Sequence, residues 1–257
     1  GRAKSKGKGL SRKNLEQWAE SKDFPSNEII EDEQGLWLVL TKPALEGATG
    51  WTHRYYNATN NPLSDDHYFK RPALTQWLAK PYNLTLRGCT ELIAGGRLLI
   101  AARAPNVWQH NDERHDIFCM FNIYNGQMLW RRSLPEKYIT GMSTMVLTPE
   151  TLYMGLGSHI ALMNPETGDV TGKIEFPDQL GQIKWMALDD GRFYLLLGPE
   201  DWSEELPESK PPLPRENIKE MNQGLSDYGR MILAYDPQEQ KVLWTHEAPS
   251  DVTARMI

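Results

Sequence analysis

Apolar and polar residues alternate most regularly over residues 117–130, IFCMFNIYNGQMLW. Ile117, Cys119 and Phe121 fall on one face, while Phe118, Met120 and Asn122 fall on the other, which is the period of a β-strand. The chain then turns at Tyr124-Asn125-Gly126 and leaves through Met128, Leu129 and Trp130. Asn and Gly tolerate the positive φ that tight hairpin turns require, so the pattern predicts two strands joined by a short Asn-Gly turn. It recurs twice. Residues 159–172, HIALMNPETGDVTG, put Asn164 and Gly168 where Asn122 and Gly126 stood, with Gly172 in the slot of Trp130. Residues 231–244, MILAYDPQEQKVLW, put Asp236, Gln240 and Trp244 in the same slots.

Asn122 and Asn164 are 42 positions apart, and Asn164 and Asp236 are 72 apart. The longer interval holds an insertion at 199–229, and without its roughly 30 residues the period returns to about 42, the length of a four-stranded propeller blade. Strand-like runs at 92–103, 143–155 and 185–197 precede the three hairpins. Two strands and a hairpin make four strands per repeat. Ahead of the repeats, residues 10–21 predict a short helix capped by Ser11, with Leu15, Trp18 and Ala19 on one face. Strands follow at 28–30 and 36–40 around the turn Asp32-Glu33-Gln34-Gly35. The Pro- and Gly-bearing stretch 42–50 marks a boundary, giving residues 1–50 as an N-terminal helix, hairpin and linker and 51–257 as repeats. A further strand is expected at 74–78.

Composition narrows the function classes. At 257 residues, 40% hydrophobic and 24% charged, the chain can bury a substantial core. Its formal net charge is -6. Arg2, Lys4, Lys6, Lys8, Arg12 and Lys13 all precede the first acid, Glu16, so the remainder carries -12. An acidic body is a poor nucleic-acid surface, because phosphate neutralisation dominates that affinity. The basic end is read as solvated chain. Cys89 and Cys119 are too few for a disulfide framework and lack metal-ligand spacing, and both sit in apolar, strand-like runs that suit buried thiols. No apolar run has the length of a membrane helix and no apolar stretch follows the basic end as in a signal peptide. From the abrupt start at GRAKSKGKG the expectation is a piece excised from something longer.

With these residues in view, the chain resembles the PQQ-repeat superfamily of propellers, which includes BamB-like assembly proteins and quinoprotein dehydrogenases. Its repeats end in A-x-D-x-x-T-G-x-x-x-W, and the counterparts here are FNIYNGQMLW, MNPETGDVTG and YDPQEQKVLW. The opening Trp51, the Asn-rich turn at 57–62 and Pro72-x-x-x-x-Trp77 resemble the segment leading into such propellers. More narrowly, GLWLVLTKPALEGATGWTHRYYNATNNPLSDD resembles a junction in large bacterial proteins whose preceding part is similar to the end of a SAM-dependent methyltransferase fold. The resemblance implies an all-β partial propeller of about three to four PQQ-type blades after a short α/β segment. Propellers have four blades or more, so missing sequence or a partner protein would complete it. It also implies work in the periplasm or at the cell surface.

Candidate chemistry is thin. HNDERHD at 110–116 packs His110 and His115 among three acids, in no recognised metal spacing, and is read as a solvated insertion. His53, in the Trp-Thr-His motif, is the sharper candidate, although a histidine beside Trp51 and Tyr55 suits a structural role. Trp130 and Trp244 are expected to pack between blades, Trp244→Ala then costing on the order of 3 to 5 kcal/mol. A quinoprotein would need a Glu/Asn/Asp site for Ca²⁺ beside PQQ and commonly a Cys-Cys pair, and neither can be assigned. No nucleophile elbow, phosphate loop or zinc motif occurs. Asp189-Asp190-Gly191 predicts a tight turn, and the proline-rich insertion predicts a loop. The function expected is that of a non-enzymatic binding or assembly scaffold. A PQQ-dependent oxidoreductase and an accessory domain of a methyltransferase-like protein are the alternatives.

Overall fold

The computed structural model describes residues 11–20, 26–41, 46–67, 90–102, 117–135, 138, 143–176, 181–199 and 228–253. The 74–78 run, Cys89, the 110–116 cluster with His110 and His115, and nearly all of the 199–229 insertion lie outside them. The chain divides into two compact units, one of Gly1–Ala48 with Asp66–Tyr68, the other of Thr49–Asp65 with Phe69–Ile257.

In the first unit, α1 (Arg12–Glu20) begins where Ser11 supplies its carbonyl to the amides of Asn14 and Leu15. Ala19 is buried and Leu15 partly so, whereas Trp18, expected on the same face, is exposed. An antiparallel hairpin follows, β1 (Ser26–Asp32) and β2 (Gly35–Thr41). Its turn is tied by Asp32, whose Oδ1 accepts from the amides of Gln34 at 2.8 Å and Gly35 at 3.0 Å and from Trp37 Nε1 at 2.9 Å.

The second unit contains three four-stranded antiparallel meanders, each with its strands hydrogen-bonded in sequence order. Blade 1 is β3 (Thr90–Ala94), β4 (Arg97–Ala102), β5 (Ile117–Asn122) and β6 (Met128–Arg131). Blade 2 is β7 (Met145–Leu147), β8 (Leu152–Leu156), β9 (His159–Met163) and β10 (Val170–Glu175). Blade 3 is β11 (Gln182–Asp189), β12 (Arg192–Gly198), β13 (Tyr228–Asp236) and β14 (Lys241–Thr253). Strand alternation explains how the blades stack. On β5, Phe118 and Met120 enter the core shared with Met145, Met154 and Met163 of blade 2, while Cys119 and Phe121 join a separate cluster on the other face. On blade 2, Val146 and Ile160 face away from blade 1 and pack on Ile183, Phe193 and Leu233 of blade 3. Each such side chain contributes about 1.5–3 kcal/mol by leaving water. The architecture is an all-β partial propeller preceded by a short helix and hairpin.

The outer hairpins turn over more residues than the short Tyr124-Asn125-Gly126 turn expected. Gly126 N–H donates to Asn122 O at 2.9 Å and Asn122 N–H to Gln127 O at 2.8 Å, so the loop is longer and starts at Asn122. The Asn122 side chain folds back to accept the Tyr124 amide at 2.9 Å, and Gly126 takes the left-handed φ of 71°. Blade 2 repeats this through Asn164 Oδ1, which accepts the Glu166 amide at 2.7 Å, and Gly168 at φ 75°. In blade 3, Asp236 Oδ1 accepts the Gln238 amide at 2.9 Å, and Gln240 holds φ 52°. A side-chain oxygen mimicking a backbone turn is what Asn and Asp do well. By contrast, Asp190 (φ 45°) and Gly191 (φ 73°) do form a two-residue turn between β11 and β12.

Candidate functional site

Three consecutive residues, Trp51, Thr52 and His53, each bond to a different blade. Trp51 N–H donates to Ile93 O at 2.8 Å, and Ile93 N–H donates to Trp51 O at 2.7 Å, so Trp51 joins β3. Thr52 O accepts the amide of Leu147 on β7 at 2.9 Å. His53 Nε2 accepts the amide of Leu188 on β11 at 3.0 Å. These are the first strands of blades 1, 2 and 3. The segment is pre-shaped by a turn in which the amides of Thr52 and His53 donate to Tyr56 O, with Tyr56 at φ 69°. Trp51 Nε1 donates to Arg54 O at 3.0 Å, and the Trp51 and Tyr56 rings meet at 5.6 Å.

The bond from Leu188 fixes the histidine tautomer. Nε2 must present its lone pair to an N–H, so the ring proton is on Nδ1, which donates to Thr52 Oγ1 at 2.8 Å. The threonine hydroxyl can then point to Tyr56 O at 3.4 Å. Protonating Nε2 would set two hydrogens against each other. Burial also disfavours the cation, lowering the His53 pKa to about 4 against the opposing field of Asp189. His53 is therefore a neutral acceptor at pH 7, with Nε2 holding β11 and Nδ1 tied to Thr52 of its own segment.

A second constellation lies between blades 1 and 2. Trp130 is only 8% exposed, its Nε1 donates to Pro165 O at 2.9 Å, and Phe118 meets it edge-on at 5.2 Å. The ring rests on Gly168, where a Cβ would stand 2.7 Å from Trp130 Cδ2. Arg132 Nη1 donates to Gly168 O. Arg97 of β4 donates through Nη1 to Pro149 O at 2.9 Å and through Nε to Glu166 at 2.9 Å. An indole and two arginines thus fasten blade 1 to two turns of blade 2. Neither arginine stood out in the sequence, since a surface cation carries no signature of a distant carbonyl partner.

Register identifies the counterparts. Trp130 pairs with Met120, Gly172 with Leu162 and Trp244 with Ala234, each two residues before the turn Asn or Asp. Arg97 stands opposite Asn122, and continuing the other two ladders by one residue, from Leu152–Met163 and Phe193–Tyr235, makes Thr151 and Arg192 its counterparts. At the junction of blades 2 and 3 every anchor has changed: Gly172 for Trp130, Ile174 for Arg132, Thr151 for Arg97, and Gln240 for Gly168. A cleft of about 560 Å³ lies there, lined by Ile174, Phe176, Tyr235, Pro237 and Gln240 and rimmed by the Lys173–Glu175 ion pair. On the far face of blade 3 the anchors return as Trp244 and Arg192. Trp244, however, is 47% exposed, with Tyr194 beside it at 6.4 Å, and is not packed between blades as expected. Among the described residues no turn of a following blade covers it.

Cys119 is a buried free thiol whose pKa burial pushes up to about 11, so it is inert at neutral pH. Lys184, which sequence reasoning missed, is fully buried at a bulge of β11 with its stem against Gly198. No three His, Cys, Asp or Glu side chains gather among the described residues to hold a metal ion. No described helix is long and apolar enough to cross a membrane.

No family model matches the chain, and no curated protein does. Among solved structures the chain is similar to the quinohemoprotein alcohol dehydrogenase of Comamonas testosteroni, at 13% identity and TM-score 0.37 over 63% of this chain and 21% of that one. It is similar to a europium-containing methanol dehydrogenase at 12% identity and TM-score 0.39, over 77% of this chain and 31% of that one. BamB from Moraxella catarrhalis is matched at 14% identity and TM-score 0.30, over 67% of this chain and 52% of that one. The chain thus spans between about a fifth and about a half of the length of these three proteins.

Proposed function

We propose that this chain is a non-enzymatic propeller segment serving as a binding and assembly scaffold, whose blade 3 face receives a further blade-like polypeptide. That polypeptide is the remainder of a larger chain or a partner protein, and the periplasm or cell surface is the setting proposed for it. The supporting observation is Trp244. It occupies the register position at which Trp130 is buried against the next blade, yet it is half exposed. Arg192, the counterpart of Arg97, accompanies it at the turn end of the same blade, within 4.0 Å of Asp236. A half-exposed indole and a nearby cation suit a turn that offers a backbone carbonyl, a glycine and an acid, as Pro165, Gly168 and Glu166 do for blade 1.

The test is a photo-crosslinking amino acid at position 244 in the protein produced in its own cell, with position 130 as the internal comparison. Position 130 should crosslink to the 165–168 turn. Position 244 should capture one defined polypeptide segment, identified by mass spectrometry as a turn between paired strands. Capture of nothing but solvent at 244, with 130 behaving as stated, overturns the reading.

A further inference from the structure

The junction between blades 2 and 3 carries a second binding surface. At the first junction the space between sheets is filled by Trp130, whose indole N–H finds the Pro165 carbonyl. At the second, the equivalent position is Gly172, and a Cβ built there meets nothing within 4 Å. The packing that remains sits deeper, where Phe176 and Tyr235 meet edge-on at 4.9 Å. Beyond them is the cleft, with Pro237, the counterpart of Pro165, in its wall. Gln240 replaces the glycine beneath the indole, so its Cβ excludes the pose of Trp130 itself and a guest ring must enter from the open side, past Lys173 and Glu175. That side is an edge: β10 is the outermost strand of blade 2, and an extended polypeptide can lie along such a strand.

We infer that this cleft binds a tryptophan side chain of a partner polypeptide, substituting for the indole that this repeat lacks. The inference rests on the scaffold reading and gives it a second site, on the face of blade 3 opposite Trp244. Two aromatic rings offer a guest ring edge and face contacts. The Pro237 carbonyl offers the acceptor that an indole N–H uses at the first junction, and the Lys173–Glu175 pair offers charges to a peptide backbone passing the rim.

The experiment is ¹⁹F NMR titration of the whole folded chain with N-acetyl-5-fluorotryptophanamide, compared with the 4-fluorophenylalanine analogue and with free 5-fluoroindole. Saturable binding is expected, strongest for the tryptophan amide. Phe176→Ala should weaken it by at least about fivefold, and Gly172→Trp with Gln240→Gly, which refills the seat, by at least about tenfold. Trp244→Ala should leave it unchanged. Phe176→Ala decides the matter if the double variant fails to fold. Absence of saturable binding, or equal affinity in wild type and Phe176→Ala, overturns the inference. Equal binding of free fluoroindole also overturns it, pointing to a small heterocycle instead of a polypeptide. None of these results touches the crosslinks from position 244, so the two readings fail separately.

Discussion

The imidazole of His53 and the backbone amide of Leu188 meet at 3.0 Å although 135 positions separate them in sequence. The bond closes a series in which Trp51 holds β3, Thr52 holds β7 and His53 holds β11. Because each of these residues bonds to a different blade, the segment 51–56 ties the three blades to one another.

That bond makes stability depend on pH in a calculable direction. His53 titrates near 4 in the folded chain and near 6.5 when unfolded, so between those values the unfolded state binds more protons. Stability is constant above about pH 6.5 as far as this group goes, and falls as pH drops toward 4, by at most ~3 kcal/mol. Urea unfolding at pH 7.5 and 4.5 should show wild type losing more stability than His53→Gln, whose side chain does not titrate. Equal losses would show that the imidazole is not the group responsible.

The two repeat tryptophans should behave differently when truncated. Trp130→Ala removes a buried ring and its bond to Pro165 O, and should cost about 3–5 kcal/mol. Trp244→Ala removes a half-exposed ring and should cost no more than ~1 kcal/mol in the chain alone. Denaturation midpoints of the two variants check this, and comparable losses would mean that Trp244 is covered in solution.

Much of the blade pattern was legible because it is local. Alternation at 117–122, the recurrence of Asn or Asp at 122, 164 and 236, and the 42-residue step are all features read within one hairpin or between neighbours. The roles of Trp51, Thr52 and His53 were not legible, since each is defined by a strand 42 to 135 positions away and the residue types alone suit many structures. The same holds for Arg97 and Arg132, whose partners are backbone carbonyls with no sequence signature. The turn expected at Tyr124-Asn125-Gly126 opens earlier, at Asn122, because that side chain accepts the Tyr124 amide. Trp244 was misjudged because equivalence of register was taken for equivalence of burial, and burial depends on what lies opposite.

Gly168 and Gly191 separate backbone strain from steric contact. Both hold positive φ, 75° and 73°, but an added methyl at Gly168 strikes Trp130 at 2.7 Å while at Gly191 it meets nothing within 4 Å. Gly191→Ala should cost roughly 1 kcal/mol for its left-handed backbone alone. Gly168→Ala adds the displacement of a packed indole, bringing the loss to about 2–4 kcal/mol, and Trp130→Ala should remove that excess. A double-mutant cycle measures the coupling; additivity would mean that the ring does not rest on this glycine.

The altered anchors of the second junction should be interdependent. Gly172→Trp alone sets an indole against the Cβ of Gln240, the contact that Gly168 avoids at the first junction, so it should give no gain in stability. Gln240→Gly alone relieves a left-handed φ of 52° and should stabilise by about 1 kcal/mol. Together the two recreate an indole over a glycine beside the turn proline, and the ring can then bury against Ile174 and Phe176, adding about 1–2 kcal/mol beyond the sum of the singles. Guanidinium unfolding of the four proteins gives this coupling directly. Its positive sign follows only if β10 and the 236–241 turn hold the same relation as β6 and the 164–169 turn. Strict additivity would mean that the second junction is built differently and that its cleft is not the counterpart of the Trp130 seat.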